Sequence, residues 1–286
     1  MELRNFIFKF NNENISSKMG KGASRVITHP YHLVDPSPWP IFMSFAIFNL
    51  VIGSVAYMHR FDNSSFQFFI GILSVLSVLI LWWRDVIRES TYEGMHTRPV
   101  QKNIRMGVSL FILSEVMFFV GFFWAYFHSS LAPAIQIGSI WPPIGISTIE
   151  PFGVPLLNTF ILLTSGLTLT ICHHAIIHSN TDLAVESISI TIFYAFAFVV
   201  EQFFEYLHSS FNINDGIYGS TFFMLTGFHG FHVIVGAIFI CVCAVRLWFG
   251  HFTSTHHVGF EAAAWYWHFV DVVWLGLYIS LYWWGS

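Results

Sequence analysis

Residues 110–127 read "LFILSEVMFFVGFFWAYF", an almost unbroken apolar run with one carboxylate, Glu115, near its middle. A run of this length suits a helix crossing a bilayer, whose hydrocarbon core needs about 20 apolar residues per span. The glutamate is the anomaly, because an ionised side chain at such a depth is costly. Composition supports the membrane reading. The 286 residues are 55% hydrophobic and only 10% charged. A soluble domain carries about a quarter charged residues, so this chain has too little polar material to cover a water-facing surface.

Working outward, apolar runs recur at 41–58, 66–83, 106–127, 154–172, 188–206, 218–245 and 262–284. The expected fold class is therefore all-α, a polytopic membrane bundle of seven transmembrane helices. The short alternating segments of a membrane β-barrel are absent from the sequence. The fifth run is the weakest, since Glu201 and Glu205 lie in its second half. Four residues apart, they are expected to share a face near the outer end, within reach of solvent or a lipid headgroup.

The twelve Lys and Arg residues set the orientation. Arg4, Lys9, Lys18, Lys21 and Arg25 precede the first run. Arg84, Arg88, Arg98, Lys102 and Arg105 lie between the second and third, and Arg246 follows the sixth. With seven spans all of these share one side, and only Arg60 falls on the other. The positive-inside rule then places the N-terminus inside and the C-terminus outside. Residues 1–28 form a polar, basic N-terminal extension, expected to be a mobile or partner-bound tail on the inner side; residues 29–286 are expected to form the membrane domain. The segment 128–153 has no basic residue and contains Pro133, Pro142, Pro143 and Pro151. It reads as an ordered, turn-rich outer loop.

The net charge of −4 gives no indication of nucleic-acid binding. Cys172, Cys241 and Cys243 lie in apolar runs and suggest no disulfide framework. Cys241 and Cys243, two apart on a helix, do not face each other. Small buried apolar side chains are the better reading.

Histidine is the abundant candidate ligand. His229 and His232 share one face of the sixth run, His173 and His174 end the fourth, His256 and His257 precede the seventh, and His268 lies within it. Imidazoles on facing helices either ligate haem or copper or hydrogen-bond to neighbouring helices, as buried polar groups in lipid must. Spacing alone leaves both open. There is no C-x-x-C-H haem attachment and no Cys/His cluster of zinc type. His268 and Asp271, three apart, form either a proton relay or a structural clasp. Without a phosphate-binding glycine loop, a nucleophile elbow or H-E-x-x-H, soluble hydrolase and kinase chemistry is excluded. A redox carrier, a secondary transporter and a structural subunit remain. The matched, interrupted halves common in transporters are missing.

Eight stretches then identify a family. "YHLVDPSPWP" (31–40), "WWRDVIREST" (82–91), "SEVMFFVGFFWA" (114–125), "HSSLAP" (128–133), "WPP" (141–143), "DGIYGSTFF" (215–223), "GFHGFHV" (227–233) and "HHVGFEAAAWYWHFVDVVW" (256–274) closely resemble cytochrome c oxidase subunit III of the mitochondrial type. The resemblance runs from about His29 to the C-terminus.

The resemblance implies seven helices, the first two splayed from the other five around a cleft filled by phospholipid. It implies a place in a complex that reduces oxygen with electrons from cytochrome c and pumps protons. Haem a, haem a3 and copper are expected in subunits I and II, with no cofactor, metal or catalytic residue in this chain. His229, His232, His268 and Asp271 then become bundle hydrogen-bonding groups. The implied partners are subunits I and II, accessory subunits and membrane phospholipids. The implied location is the mitochondrial inner membrane, with the N-terminus in the matrix and the C-terminus in the intermembrane space. The implied role is to stabilise subunit I, support proton uptake and offer a lipid route for oxygen.

Glu115 matches the family glutamate that reacts with hydrophobic carbodiimides. Burial can raise a carboxyl pKa by about 3–5 units, so Glu115 is expected to be largely protonated, with its hydroxyl bonded inside the protein. Trp83, Glu89, His96 and Arg246 match phospholipid-contacting positions. Two residues depart from the family pattern: Met95, where many relatives have the first histidine of a pair, and Glu201, where close relatives tend to be apolar. The alternative is the equivalent subunit of a quinol oxidase, which usually lacks the first two helices.

Overall fold

Prolines and left-handed turns set several helix limits in the computed structural model, which describes residues 29–286. The N-terminal extension, with its five basic residues, lies outside the described residues. Helix α1 (Trp39–Met58) has proline in its first turn, where the missing N–H costs no intrahelical bond. Arg60 and Asn63, both with φ near +57°, turn the chain into α2 (Ser64–Thr91). Helix α3 (Arg98–Leu131) is followed by a short 3-10 turn at Ile135–Ile137 and by α4 (Val154–Ile177). Asn180 caps α5 (Thr181–His208) by accepting the Leu183 N–H at 3.2 Å, satisfying a donor that the first helical turn otherwise leaves free. Helices α6 (Gly216–Trp248) and α7 (Val258–Leu277) follow, and the last turn widens to a π-helix at Tyr278–Trp283.

Seven α-helices and no strand among the described residues make the fold all-α, as expected. Six of them, α1 to α6, are long and apolar enough to cross a membrane by length and composition. The sequence marks the fifth as the doubtful one, yet α5 meets that criterion. Helix α7, which carries Glu261, His268 and Asp271, is the one outside it.

Glu205 also departs from expectation. It is buried, and it accepts hydrogen bonds from Tyr282 Oη at 2.6 Å and from Gln202 Nε2 at 3.0 Å. It faces the bundle instead of solvent or headgroups, because an inward turn supplies donors that lipid lacks. Glu201 is half-buried.

Among the described residues, 29–100 form one compact unit and Gln101–Ser286 a second. In the first, α1 and α2 pack as a hairpin at two glycines. A Cβ on Gly71 would lie 2.6 Å from Leu50 Cα, and one on Gly53 would lie 3.0 Å from Phe68 Cα. Without side chains at these points the backbones approach closely, the usual means by which helices gain packing in lipid. The Trp39 indole N–H donates to Asp85 Oδ2 at 2.7 Å and ties the start of α1 to the later part of α2.

In the second unit α4 packs on α5, α6 contacts both α5 and α7, and α4 also meets α7. Two fully buried tryptophans of α7 are anchored to α4. Trp267 donates to Ser165 Oγ and Trp274 to Thr159 Oγ1, each at 2.9 Å. Helix α3 meets its neighbours through aromatic rings. Phe118 lies 5.0 Å from Phe228 in an edge-on arrangement, and Phe119 lies 6.0 Å from Phe269, geometries that ring quadrupoles favour. The 128–153 loop is pinned where the Trp141 ring lies 5.6 Å from Tyr126 and 5.3 Å from Tyr218. Leu110, Leu113, Met117 and Trp124 are all exposed on α3. So continuous an apolar face is a contact surface for lipid or for other chains.

Candidate functional site

Glu115 is half-buried on α3, and His232 of α6 is buried opposite it. The His232 ring Nδ1–H donates to the Phe228 carbonyl at 2.6 Å, one turn earlier in α6, and its Nε2 lies 2.9 Å from Glu115 Oε2. A contact this short requires one proton between the two atoms. Either a protonated carboxyl donates to a neutral imidazole, or an imidazolium donates to a carboxylate. In both forms the pair carries no net charge, so the apolar run can accommodate it.

This geometry sets a clear expectation for substitution. Gln at position 115 keeps an N–H donor for His232 Nε2, so in the oxidase complex that the sequence resemblance implies, Glu115→Gln is expected to preserve assembly and most oxygen reduction. Glu115→Leu leaves that nitrogen unpaired and should cost about 1–3 kcal/mol of stability. Oxygen-uptake rates and thermal melting of the purified variants test both; complete loss of turnover in Glu115→Gln would assign the carboxylate a direct role instead.

The other expected bundle groups fall in two places. His229 is buried, and its Nε2–H donates to the Val270 carbonyl at 3.2 Å. His268 and Asp271 are close, with Nδ1 and Oδ2 3.6 Å apart, and His268 Nε2 also lies 3.4 Å from Thr170 Oγ1. Gly166 of α4 makes room for this pair, since a Cβ there would stand 2.5 Å from Asp271 Oδ2.

A second polar group joins the first turns of α3 and α7 to the last turns of α4. Arg105 grips Glu261 with two contacts, Nε to Oε2 at 2.5 Å and Nη2 to Oε1 at 3.0 Å. His257 Nε2 lies 3.3 Å from Glu261 Oε1 and 3.3 Å from His173 Nε2. Arg246, at the end of α6, has its guanidinium carbon 4.5 Å above the Phe252 ring. Its Nη1 also packs where a Cβ on Gly259 would sit, at 2.5 Å. It is half-buried and folded on to protein, not extended into water. Nearby in the connecting loop, burial and then the Arg246 charge hold the His251 ring below the ordinary histidine pKa.

Of the residues matched to phospholipid contacts, Trp83, Glu89 and His96 belong to the first unit and Arg246 to the second. In the first unit Glu89 and His96 meet through His32, whose Nε2 is 4.0 Å from Glu89 Oε2 and whose ring is 5.8 Å from that of His96. Trp83 is exposed on α2. Six residues before Glu89, it is turned about 120° around the helix from it. Sequence reading missed His32 and the Arg105–Glu261 grip. His32 had a signal in the "YHLVDPSPWP" stretch, but nothing in that stretch names its partners.

A family profile described as "Cytochrome c oxidase subunit III" matches residues 29–286. The "Cytochrome c oxidase subunit 3" of Prototheca wickerhamii is 58% identical over 258 residues, covering 90% of this chain and 98% of the relative. That of Marchantia polymorpha is 57% identical over 258 residues, 90% of this chain and 97% of the relative. That of Struthio camelus is 56% identical over 258 residues, 90% of this chain and 98% of the relative.

Proposed function

The chain belongs to the cytochrome c oxidase subunit III family, and from that premise we propose that it is a structural, non-catalytic subunit of the terminal proton-pumping oxidase of the mitochondrial inner membrane. Haem a, haem a3 and copper belong in this reading to subunits I and II, which with accessory subunits are its partners. The observation that carries the reading is the commitment of the helix histidines to protein groups. His229 is bonded to the Val270 carbonyl, and His232 to the Phe228 carbonyl and Glu115. Such bonds satisfy polar groups that lipid would leave unpaired, and they support a bundle that braces its neighbours. The exposed apolar face of α3 suits contact with subunit I or with lipid.

With the basic residues on the matrix side, the N-terminal extension and the 92–97 loop face the matrix and Ser286 faces the intermembrane space. In sealed inner-membrane vesicles a protease on the matrix face should cut both the extension and that loop. Cleavage of the two from opposite faces would remove the seven-span arrangement. The purified chain should show no haem absorption; a stoichiometric haem band would overturn the non-catalytic assignment.

Trp83, Glu89, His96 and Arg246 serve in this reading as phospholipid contacts. A basic residue near a bilayer surface attracts an anionic headgroup by roughly 1 kcal/mol, and tryptophan favours the interface. In density for the assembled complex, a headgroup phosphate is expected within hydrogen-bonding reach of Arg246. Protein filling that space instead would make Arg246 a packing residue over Phe252. Support of subunit I in proton uptake, and a lipid route for oxygen, are further parts of the same proposal.

A further inference from the structure

The polar group at the α3, α4 and α7 ends brings two imidazole nitrogens and a carboxylate oxygen close together. His257 is buried, and its Nδ1–H donates to the Thr253 carbonyl at 2.8 Å. In the neutral ring that bond leaves Nε2 as a lone pair. This lone pair faces the Glu261 Oε1 carboxylate oxygen at 3.3 Å and His173 Nε2 at 3.3 Å. A His173 Nε2–H can fill that lone pair, and Arg105 Nη2 already donates to Glu261 Oε1 at 3.0 Å; a cation shared by the three ligand atoms is the other arrangement that fits.

Distances indicate what kind of centre fits. Around a tetrahedral zinc ion with bond lengths of about 2.0–2.2 Å, neighbouring ligand atoms lie about 3.3–3.5 Å apart. Both measured separations at His257 Nε2 are 3.3 Å, and the three ligand atoms lie within 4.8 Å of one another. The outer contacts also suit a metal site. A ligating histidine ordinarily donates its other N–H to a carbonyl, and a ligating carboxylate is itself hydrogen-bonded. Here Thr253 O and the Arg105 guanidinium take those roles. Two imidazoles and one carboxylate select a borderline ion such as Zn²⁺ over Mg²⁺ or Ca²⁺, which prefer oxygen ligands.

We propose that His173 Nε2, His257 Nε2 and Glu261 Oε1 bind one divalent zinc-class ion, with a fourth position open to water. Arg105 keeps its Nε contact to Oε2 and orients the carboxylate. The Arg105 charge, so near the ion, makes the site one for exchangeable metal, not for a permanently held one. The competing occupant is a proton, with a His257 imidazolium shared between His173 and Glu261.

The test uses the full chain in the complex it assembles into, treated with chelator and then dialysed against Zn²⁺ of known concentration. Bound zinc per complex is counted by mass spectrometry for the wild type, His257→Gln and His173→Gln. Each variant should bind one zinc fewer than the wild type. An equal count in assembled wild type and variants would leave the proton as the occupant and overturn the proposal. Should the variants fail to assemble, the unmutated complex still decides. Zn²⁺ should protect His173 and His257 from carbethoxylation by diethylpyrocarbonate at least tenfold, leaving the more exposed His268 unprotected as the control. Equal modification of His173 and His257 with and without Zn²⁺ would likewise overturn the site.

Discussion

Gly71→Leu is expected to force α1 and α2 apart and to lower the thermal stability of the chain sharply. A Cβ at Gly71 would stand 2.6 Å from Leu50 Cα, a backbone atom that cannot swing aside as a side-chain tip can. Overpacking in well-packed cores costs about 1–3 kcal/mol, occasionally more, and a backbone clash belongs at or above the upper end. The matched control is Gly107→Leu, because a Cβ at Gly107 meets nothing within 4 Å. Melting of the detergent-solubilised chain, followed by circular dichroism, compares the two. A Gly71→Leu protein as stable as Gly107→Leu would contradict the close approach of the hairpin.

The second large effect is expected at the Arg105–Glu261 pair. Removing one partner of a buried ion pair costs about 3–5 kcal/mol, because the other charge is left buried and unpaired. Arg105 is 36% exposed and Glu261 only 12%. Water therefore reaches the arginine, and Arg105→Leu belongs near the lower end, at about 3 kcal/mol. Arg105→Lys keeps the charge but loses the two-pronged grip, and should recover only part of the loss. Arg105→Leu combined with Glu261→Leu removes both charges and should recover most of it. Melting temperatures of the wild type, Arg105→Leu, Glu261→Leu and the double variant in chelator-containing buffer give the coupling between the positions. Additive losses in the double variant would show that the two side chains do not stabilise each other.

Some features of this protein are sums over local sequence, and these were legible without a structure. Seven apolar runs separated by turn residues suffice to specify seven helices, six of which are long and apolar enough to span a bilayer. The "GFEAAAWYWHFVDVVW" stretch identified the family for the same reason, being contiguous. The doubtful fifth helix shows where local sums fail. Glu201 and Glu205 weigh equally in composition, yet Glu205 is buried against Tyr282, 77 residues away. The inner face of a soluble helix shows as a polar–apolar stripe. In lipid the outer face is apolar as well, so sequence does not reveal which way a membrane helix is turned.

By itself, then, the sequence determined the all-α membrane fold, the number of helices and the family. Tertiary structure decided the polar partnerships between helices, whereas the His268–Asp271 pair was legible from its spacing. Glu115 meets His232 across 117 residues, Arg105 meets Glu261 across 156, and His173 meets His257 across 84. Neither spacing nor motif encodes such pairs. They follow from helix rotation and packing, which glycines such as Gly71 and Gly166 permit, and from the requirement that each polar group in a bilayer find its partner within the protein.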